Sequence, residues 1–178
     1  MLIVVACALW PKPDIPASLD SIITEELVRS GCKNALPFSF TTEHTIGRRT
    51  YHADFEFGPE HPECSTFVTI TICRVGKLLD PAEYETTKKQ VREKDKKNPP
   101  DRQLEPLMFP AIGKRAMVGL VLGPGGGGDW LVFTTSDGRF DIKVEQGNRW
   151  SEGVEGPIVL CDRIARDICS KYDSLEGN

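Results

Sequence analysis

The last third of the chain has the clearest alternation of apolar and polar positions. Apolar residues fall at every second position over 115–122, which predicts a strand: Ala116, Val118, Leu120 and Leu122. Two more strands are predicted at 130–135 and 140–144, with a tight turn at Ser136–Gly138 between them. This pattern indicates three consecutive antiparallel strands.

Helical spacing follows these strands. From Pro157 onward the apolar residues recur three or four positions apart, which predicts a helix over 157–172 with one buried face: Cys161, Ile164, Ala165, Ile168 and Tyr172. Residues 173–178 have no apolar partner at that spacing beyond Leu175, and we expect this tail to be frayed.

The first half of the chain predicts a helix and two strands. A helix is expected over 19–30, with Ser18 as its N-cap and Gly31 as its stop. Alternation over 47–57 and 67–75 predicts strands, and the second is the strongest because β-branched residues dominate it.

A second helix is predicted to begin at Pro81, from more specific N-terminal signals than those of the first. Asp80 is a predicted N-cap, Pro81 suits the first helical position, and Glu83 completes a capping box. The helix should end near Lys97, before two prolines, and its apolar stripe is thin.

These elements predict the α+β class, with a twisted antiparallel sheet and helices packed against it, ending in a three-strand meander and a helix. The predicted organisation is an apolar segment and Pro-rich linker at 1–17, one domain at 18–172 and the tail at 173–178.

Composition excludes several classes of protein. The 178 residues are 39% apolar and 27% charged, which is typical of a folded domain rather than a disordered chain. The net charge of −4 gives no overall attraction to nucleic acid or to anionic lipid, so no nucleic-acid partner is expected. No apolar run reaches the ~20 residues of a membrane span.

The N-terminus favours export. Met1–Trp10 has no charged residue, and three prolines follow within six positions, as in the apolar core and cleavage region of a secretory signal peptide. The basic leader is missing, so the true start could lie upstream of Met1. Val4–Cys7 also resembles a lipobox, which would place a lipid on Cys7 and attach the protein to a membrane. The alternative is a buried first strand over 2–5, which would make the protein cytoplasmic.

Six cysteines suit an oxidising compartment, where they would pair. If Cys7 carries a lipid, the remaining five are disulfide candidates: Cys32, Cys64, Cys73, Cys161 and Cys169. Cys161 and Cys169 lie about 12 Å apart along one helix and cannot bond to each other. They could be core thiols or separate disulfide anchors, and the sequence does not define the pairing.

The segment Phe109–Ala116, with Gly113-Lys-Arg-Ala116 opening the strands and helix after it, resembles small bacterial envelope lipoproteins of unknown function and their PsbP-like α-β-α sandwich domains. The resemblance covers roughly residues 105–172. It implies a fold of this kind and brings no catalytic residue with it.

A glycine motif is a candidate nucleotide site. Gly123, Gly125 and Gly128 match a dinucleotide-binding fingerprint. A strand is predicted after them, where the fingerprint needs a helix, so no cofactor is expected.

The segment His61-Pro-Glu-Cys64 offers one pair of possible metal ligands, with His44, His52 and Cys73 in reach in principle. Structural zinc needs four ligands, so no metal is expected. Basic residues over 88–102 are interpreted as a solvated helix end.

The sequence therefore predicts an envelope-associated or secreted protein without catalytic activity that binds an unidentified partner or ligand. Two alternatives remain open. One is a small thiol- or metal-dependent hydrolase built around His61, Cys64 and Cys73. The other is an intracellular adaptor whose first ten residues form a core strand.

Overall fold

A computed structural model describes residues 15–31, 35–57, 65–97, 108–123, 126–149 and 157–176. Its centre is a six-stranded, wholly antiparallel sheet in the order β1-β2-β3-β6-β5-β4. The strands are β1 Ala35–Thr45, β2 Arg48–Phe57, β3 Ser65–Arg74, β4 Arg115–Gly123, β5 Gly126–Thr134 and β6 Phe140–Arg149. The helices are α1 Ala17–Ile22, α2 Glu25–Gly31, α3 Pro81–Lys97 and α4 Pro157–Glu176. The α+β class and the C-terminal meander followed by a helix are confirmed.

One face of the sheet carries the main core and is covered by α1, α2 and α4. The alternating residues of the central strands point into this layer, including Ile70, Leu131 and Ile142, each of which is fully buried. The predicted face of α4 packs against them, and every one of its five predicted residues is buried. The alternating residues of the strands and the helically spaced residues of α4 thus pack together in one apolar layer.

The opposite face of the sheet is covered only in part. Helix α3 lies over β5 with its thin stripe, Tyr84 and Val91, which packs with Phe109 and Val132 in a second, smaller cluster. The Asp80 carboxylate caps the helix by accepting the N–H groups of Ala82 at 2.9 Å and Glu83 at 3.0 Å. One short apolar stripe can cover only one part of a sheet, and no other described element lies over the β1–β2–β3–β6 side of this face.

The helix predicted over 19–30 is two short helices. Thr24 interrupts it, because its hydroxyl accepts the N–H of Leu27 at 3.2 Å and so caps α2. Ser18 is not the N-cap of α1; Pro16 holds that position, without a side-chain cap. The prediction of one continuous helix capped by Ser18 was wrong.

The fold includes residues that the sequence analysis assigned to the linker. Ile15 lies in the main core, and the Arg49 guanidinium donates to the carbonyl oxygens of Ile15 at 2.5 Å and Pro16 at 3.3 Å. The same guanidinium is paired with the Asp20 carboxylate, which also accepts the hydroxyl of Tyr51. This cluster fastens the start of α1 to strand β2.

The C-terminal helix is longer than predicted. It continues to Glu176, so residues 173–176 are not frayed. Asp173 accepts the hydroxyl of Ser136 at 3.0 Å, and Arg139 lies 3.5 Å from Glu176. These polar contacts with the β5–β6 turn hold the last helical turn in place, and no periodicity of apolar residues could have revealed them.

The glycine-rich segment was expected to be a loop over 123–128. Instead Gly126, Gly127 and Gly128 belong to β5, and Gly123 pairs with Gly126 across a hairpin. A side chain at Gly128 would meet the carbonyl oxygen of Gln146 at 2.6 Å, so close strand packing explains this glycine. The predicted strand after the glycines is confirmed.

A buried carboxylate connects the two halves of the fold. Asp141, on β6, is fully buried, and one of its oxygens accepts three consecutive N–H groups at 3.1–3.2 Å, from Lys77, Leu78 and Leu79. Its other oxygen accepts the hydroxyl of Thr134 at 2.8 Å. Asp141 therefore fixes the turn that leads from β3 to α3.

Candidate functional site

The part of the second sheet face that α3 leaves uncovered is the strongest candidate for a functional surface. We call it the open face; its described members are Ser39, Thr41, Glu43, Thr50, His52, Asp54, Phe67, Thr69, Lys143, Glu145 and Gly147. Most of these residues are polar, as alternation requires for a solvent-facing sheet surface. The exception is Phe67, which is 42% exposed.

Phe67 is held in place by a glycine. Gly147 faces it across the β3–β6 pair, and a Cβ built on Gly147 would lie 2.2 Å from the Phe67 ring. The ring therefore lies on bare backbone, where any other residue at 147 would displace it. On its other side the His52 ring is 5.8 Å away, centroid to centroid. The outcome is an aromatic side chain fixed in orientation but open to solvent.

His52 links this aromatic pair to polar neighbours. Its Nδ1 lies 2.8 Å from the hydroxyl of Thr69, and its Nε2 lies 3.1 Å from the carboxylate of Asp54. These contacts follow from the sheet register, which sets His52 directly opposite Thr69. Both ring nitrogens are occupied, so the imidazole orientation is set before anything binds.

A hydroxyl, an imidazole and a carboxylate in line could suggest nucleophilic catalysis. Nucleophilic catalysis would also need hydrogen-bond donors for an oxyanion. The backbone N–H groups of β2 are not available for this role, because β2 lies between β1 and β3 and pairs with both. The Asp54 side chain is 62% exposed, which weakens its hold on the ring. The arrangement is suited to recognition through hydrogen bonds.

The open face meets the α3 cluster at a second aromatic residue. Trp130 lies over Gly119, where a built Cβ would meet the indole at 2.2 Å. The Lys143 ammonium is 5.7 Å from the centre of this ring and 2.5 Å from the Glu145 carboxylate. Two glycines on the same face thus each accommodate an aromatic ring.

A separate groove of about 620 Å³ lies beside α4, between Ala111–Gly113 and the last turns of the helix. Cys169 is at its base, 3.8 Å from the Ser136 hydroxyl and 3.7 Å from the Asp173 carboxylate. Burial is the largest cause and raises the pKa of the Cys169 thiol; a hydrogen bond with the Ser136 hydroxyl lowers it by less, and the Asp173 carboxylate raises it again. The thiol is therefore a poor nucleophile at neutral pH.

The disulfide candidates divide into two groups. Cys73, Cys161 and Cys169 are buried thiols, and none of them is in a disulfide. Burial raises the pKa of Cys73, against a smaller opposing effect from Arg48. Cys161 and Cys169 thus match the core-thiol alternative. Cys32, Cys64 and the lipidation candidate Cys7 lie outside the described residues.

The two described histidines that could in principle have joined a metal site, His44 and His52, are not brought together. His44 faces the main-core side, 4.0 Å from Asp20, whereas His52 is on the open face, so the sheet separates them. Across the described ranges no three His, Cys, Asp or Glu residues are grouped to hold a metal ion. His61 and Cys64 fall in the gap between 57 and 65.

A buried carboxyl group near the start of α4, that of Asp129, has the most strongly shifted pKa among the described Asp and Glu residues. Asp129 is 2% exposed, and both of its carboxylate oxygens lack a hydrogen-bond partner among the described residues. Burial is the largest cause and raises its pKa to about 6. Asp129 is therefore largely protonated in mildly acidic solution.

Asp129→Asn should stabilise the protein in a pH-dependent way. A raised folded-state pKa means that stability is complete below the unfolded pKa near 4 and falls as the pH rises through about 6. The neutral amide does not titrate, so the gain should grow from near zero at low pH to about 3 kcal/mol at alkaline pH, following 1.36 kcal/mol per unit. Urea unfolding across this pH range measures it.

Asp137→Asn is the matched control with the opposite sign. Burial disfavours ionisation of Asp137, but hydrogen bonds from Thr135, the Arg139 N–H and Tyr172 outweigh burial and lower its pKa. Its substitution should destabilise at neutral pH, and the difference from the parent should shrink as the medium becomes strongly acidic. A pH-independent Asp129→Asn effect would show that its carboxyl group does not titrate as described.

Comparison with known proteins gives no assignment. No family model matches the chain, and no curated protein or solved structure is significantly similar to it. The resemblance to PsbP-like envelope lipoproteins stays a prediction.

None of the helices that the structure describes is long and apolar enough to cross a membrane.

The basic residues at the end of α3 are exposed. Its last turn carries three exposed lysines, where cations complement the helix dipole: Lys94, Lys96 and Lys97. The interpretation as a solvated helix end is consistent with this placement.

Proposed function

We propose that this chain is a non-catalytic binding protein that recognises a partner protein through the open face. The observation that carries the proposal is Phe67, exposed on a polar sheet surface and fixed between Gly147 and His52. Large apolar side chains held rigidly in water are typical anchors of protein interfaces, because binding buries them at little cost in side-chain entropy.

The surroundings of Phe67 support an interface of ordinary composition. Interfaces have an apolar centre and a polar rim, and here Thr69, His52 and Asp54 surround the aromatic ring. Their hydrogen-bonding groups are already oriented by one another. A partner that places an apolar side chain on Phe67 could exchange these bonds for its own donors and acceptors, which would give specificity.

The thiol-hydrolase alternative receives no specific support. Cys73 is buried with a raised pKa, and it lies on β3 beside Asp141, which accepts hydrogen bonds from the 77–79 turn. A catalytic thiolate needs a lowered pKa and a neighbouring base. We therefore favour binding over catalysis.

The location in the cell envelope or outside the cell belongs to the same proposal. It rests on the apolar, uncharged Met1–Trp10 and on the prolines after it, together with lipidation at Cys7 as one way to attach the protein to a membrane. The intact mass of the mature protein from its own host tests this directly. A mass that includes residues 1–6 and no lipid would count against export by a cleaved or lipidated leader.

Phe67→Ser should abolish recognition of the partner without unfolding the protein. Removing a solvent-exposed ring leaves the core untouched, whereas loss of a central aromatic anchor costs more than about tenfold in affinity. The measurement is quantitative affinity purification from host envelope extracts, comparing the variant with the parent by mass spectrometry.

Leu175→Ser is the matched control. Leu175 is 48% exposed and lies on the last turn of α4, away from the open face, so its substitution removes a similar exposed apolar group. A specific partner should be retained by the parent and by Leu175→Ser and lost with Phe67→Ser. Equal retention by all three proteins would refute binding through the open face.

A further inference from the structure

The two edge strands of the sheet differ in how they are protected against pairing. Strand β1 contains Pro37 and Glu43, and its register with β2 shifts between Ala35 and Phe38. Proline, charge and irregular register are the usual devices that prevent an edge from adding another strand. The edge at β1 is therefore guarded.

The edge at β4 has none of these devices. Its nine residues, Arg115–Gly123, contain no proline and no charged residue after Arg115. Among the described strands β4 pairs with β5 alone, so its outer side presents a row of backbone N–H and C=O groups. A regular, uncharged edge of this length is a template for another strand.

The sequence of β4 is complementary to itself about Gly119. In an antiparallel pair centred there, position 118 would be in register with position 120 and position 117 with position 121, and the sequence has an apolar residue at each of these four positions. The two faces of the sheet also match. A two-fold axis that passes between the two Gly119 residues, perpendicular to the sheet, places the main-core faces of both copies on the same side of the joined sheet. Ala116 and Val118, which are buried in the main core, would continue that apolar layer across the axis.

Gly119 is suited to the centre of such a pair. Trp130 lies directly over it on the open-face side, partly exposed, in the space that a side chain at 119 would occupy. In a symmetric pair the two indoles would flank the axis and pack near each other.

We propose that β4 pairs antiparallel with β4 of a second copy of this chain, which joins the two sheets into one. The proposal does not depend on the function assigned to the open face. It does add a consequence, because the two open faces would then lie on the same side of the joined sheet and could bind a repeated or dimeric partner with increased avidity.

Sedimentation velocity of the full chain over a concentration series tests the proposal. The parent should form dimers, and Val121→Lys should weaken them at least about tenfold, because a charge is placed opposite Met117 of the other copy. Thr42→Lys places the same charge on exposed β1 and should leave the dimer unchanged. A parent that remains monomeric, or a Thr42→Lys effect equal to that of Val121→Lys, overturns the proposal.

Hydrogen exchange measured on the parent protein tests the proposal even if Val121→Lys does not fold. The alternate amides of 115–123 that point away from β5 should exchange more slowly as the protein concentration rises, whereas exchange over 35–45 should not change with concentration. Slow exchange of these outward-pointing amides at every concentration would mean that another segment of the same chain covers β4, and this result would also overturn the proposal.

Discussion

Ile168→Asp is expected to destabilise the protein by about 4–5 kcal/mol, a large part of the ~5–15 kcal/mol margin of a typical domain. Ile168 lies in the middle of α4 with no exposed surface, in the main core between the helix and the sheet. The substitution removes apolar burial and also leaves an ionised carboxylate without a partner, and both effects act in the same direction. Thermal and urea unfolding measure the loss.

Lys171→Asp provides the control for charge and helix propensity. Lys171 is exposed on the same helix, so the introduced carboxylate remains in water and should change stability by less than about 0.5–1 kcal/mol. If Ile168→Asp unfolds like the parent, α4 does not pack on the sheet as described.

Asp141→Ala should cost about 3–4 kcal/mol. The substitution leaves the N–H groups of Leu78 and Leu79 without their acceptor and also removes the acceptor of the Thr134 hydroxyl. The N–H of Lys77 keeps the Arg74 carbonyl oxygen, at 3.2 Å, as its remaining acceptor. A buried donor without a partner typically costs 1–3 kcal/mol, and part of this cost is relieved because the turn can open to water. Equilibrium unfolding gives the magnitude, and exchange of the 77–79 amides shows where the structure loosens.

Asp141→Asn separates lost hydrogen bonds from general disruption. The amide keeps the shape of the carboxylate and retains an oxygen that can accept from the turn, so its cost should be clearly smaller than that of the Ala variant. Equal losses in the two variants, with 77–79 amides as protected as in the parent, would contradict the role assigned to Asp141.

The elements that the sequence predicted well are those with one buried face. Strand β3 alternates without interruption, and Val68, Ile70 and Ile72 are buried together as expected. In the same way the periodicity of α4 predicted five residues that are all buried, although Leu160 and Cys169 of this helix also belong to the core. Burial on one side imposes the pattern, so the pattern identifies the element.

The elements that it missed lack such a face. Strand β1 is an edge strand whose described side chains from 39 to 45 are mostly exposed, so polar residues occupy both of its sides and no alternation marks it. The α1–α2 break depends on a single hydroxyl, that of Thr24. The glycines of β5 were read as a loop because their strand conformation is set by pairing with β4 and β6, which local propensity does not record.

The sequence predicted only part of the open face. Alternation placed Phe67 on the side of β3 opposite to Val68, together with Thr69, and a phenylalanine on a face of threonines was the available signal. Its neighbours His52 and Gly147 come from other strands, and only the register brings them together. Pairing between distant strands is not encoded in any local pattern.

Site-specific photocrosslinking tests the central claim most directly. A photoreactive phenylalanine analogue at position 67, expressed in the native host, should capture one partner protein, and the same analogue at exposed Leu175 should not capture it. Adding Asp54→Ala, at the rim of the open face, should reduce the yield at position 67. The account predicts a discrete crosslinked species specific to position 67; no crosslink there, or the same species from position 175, would contradict it.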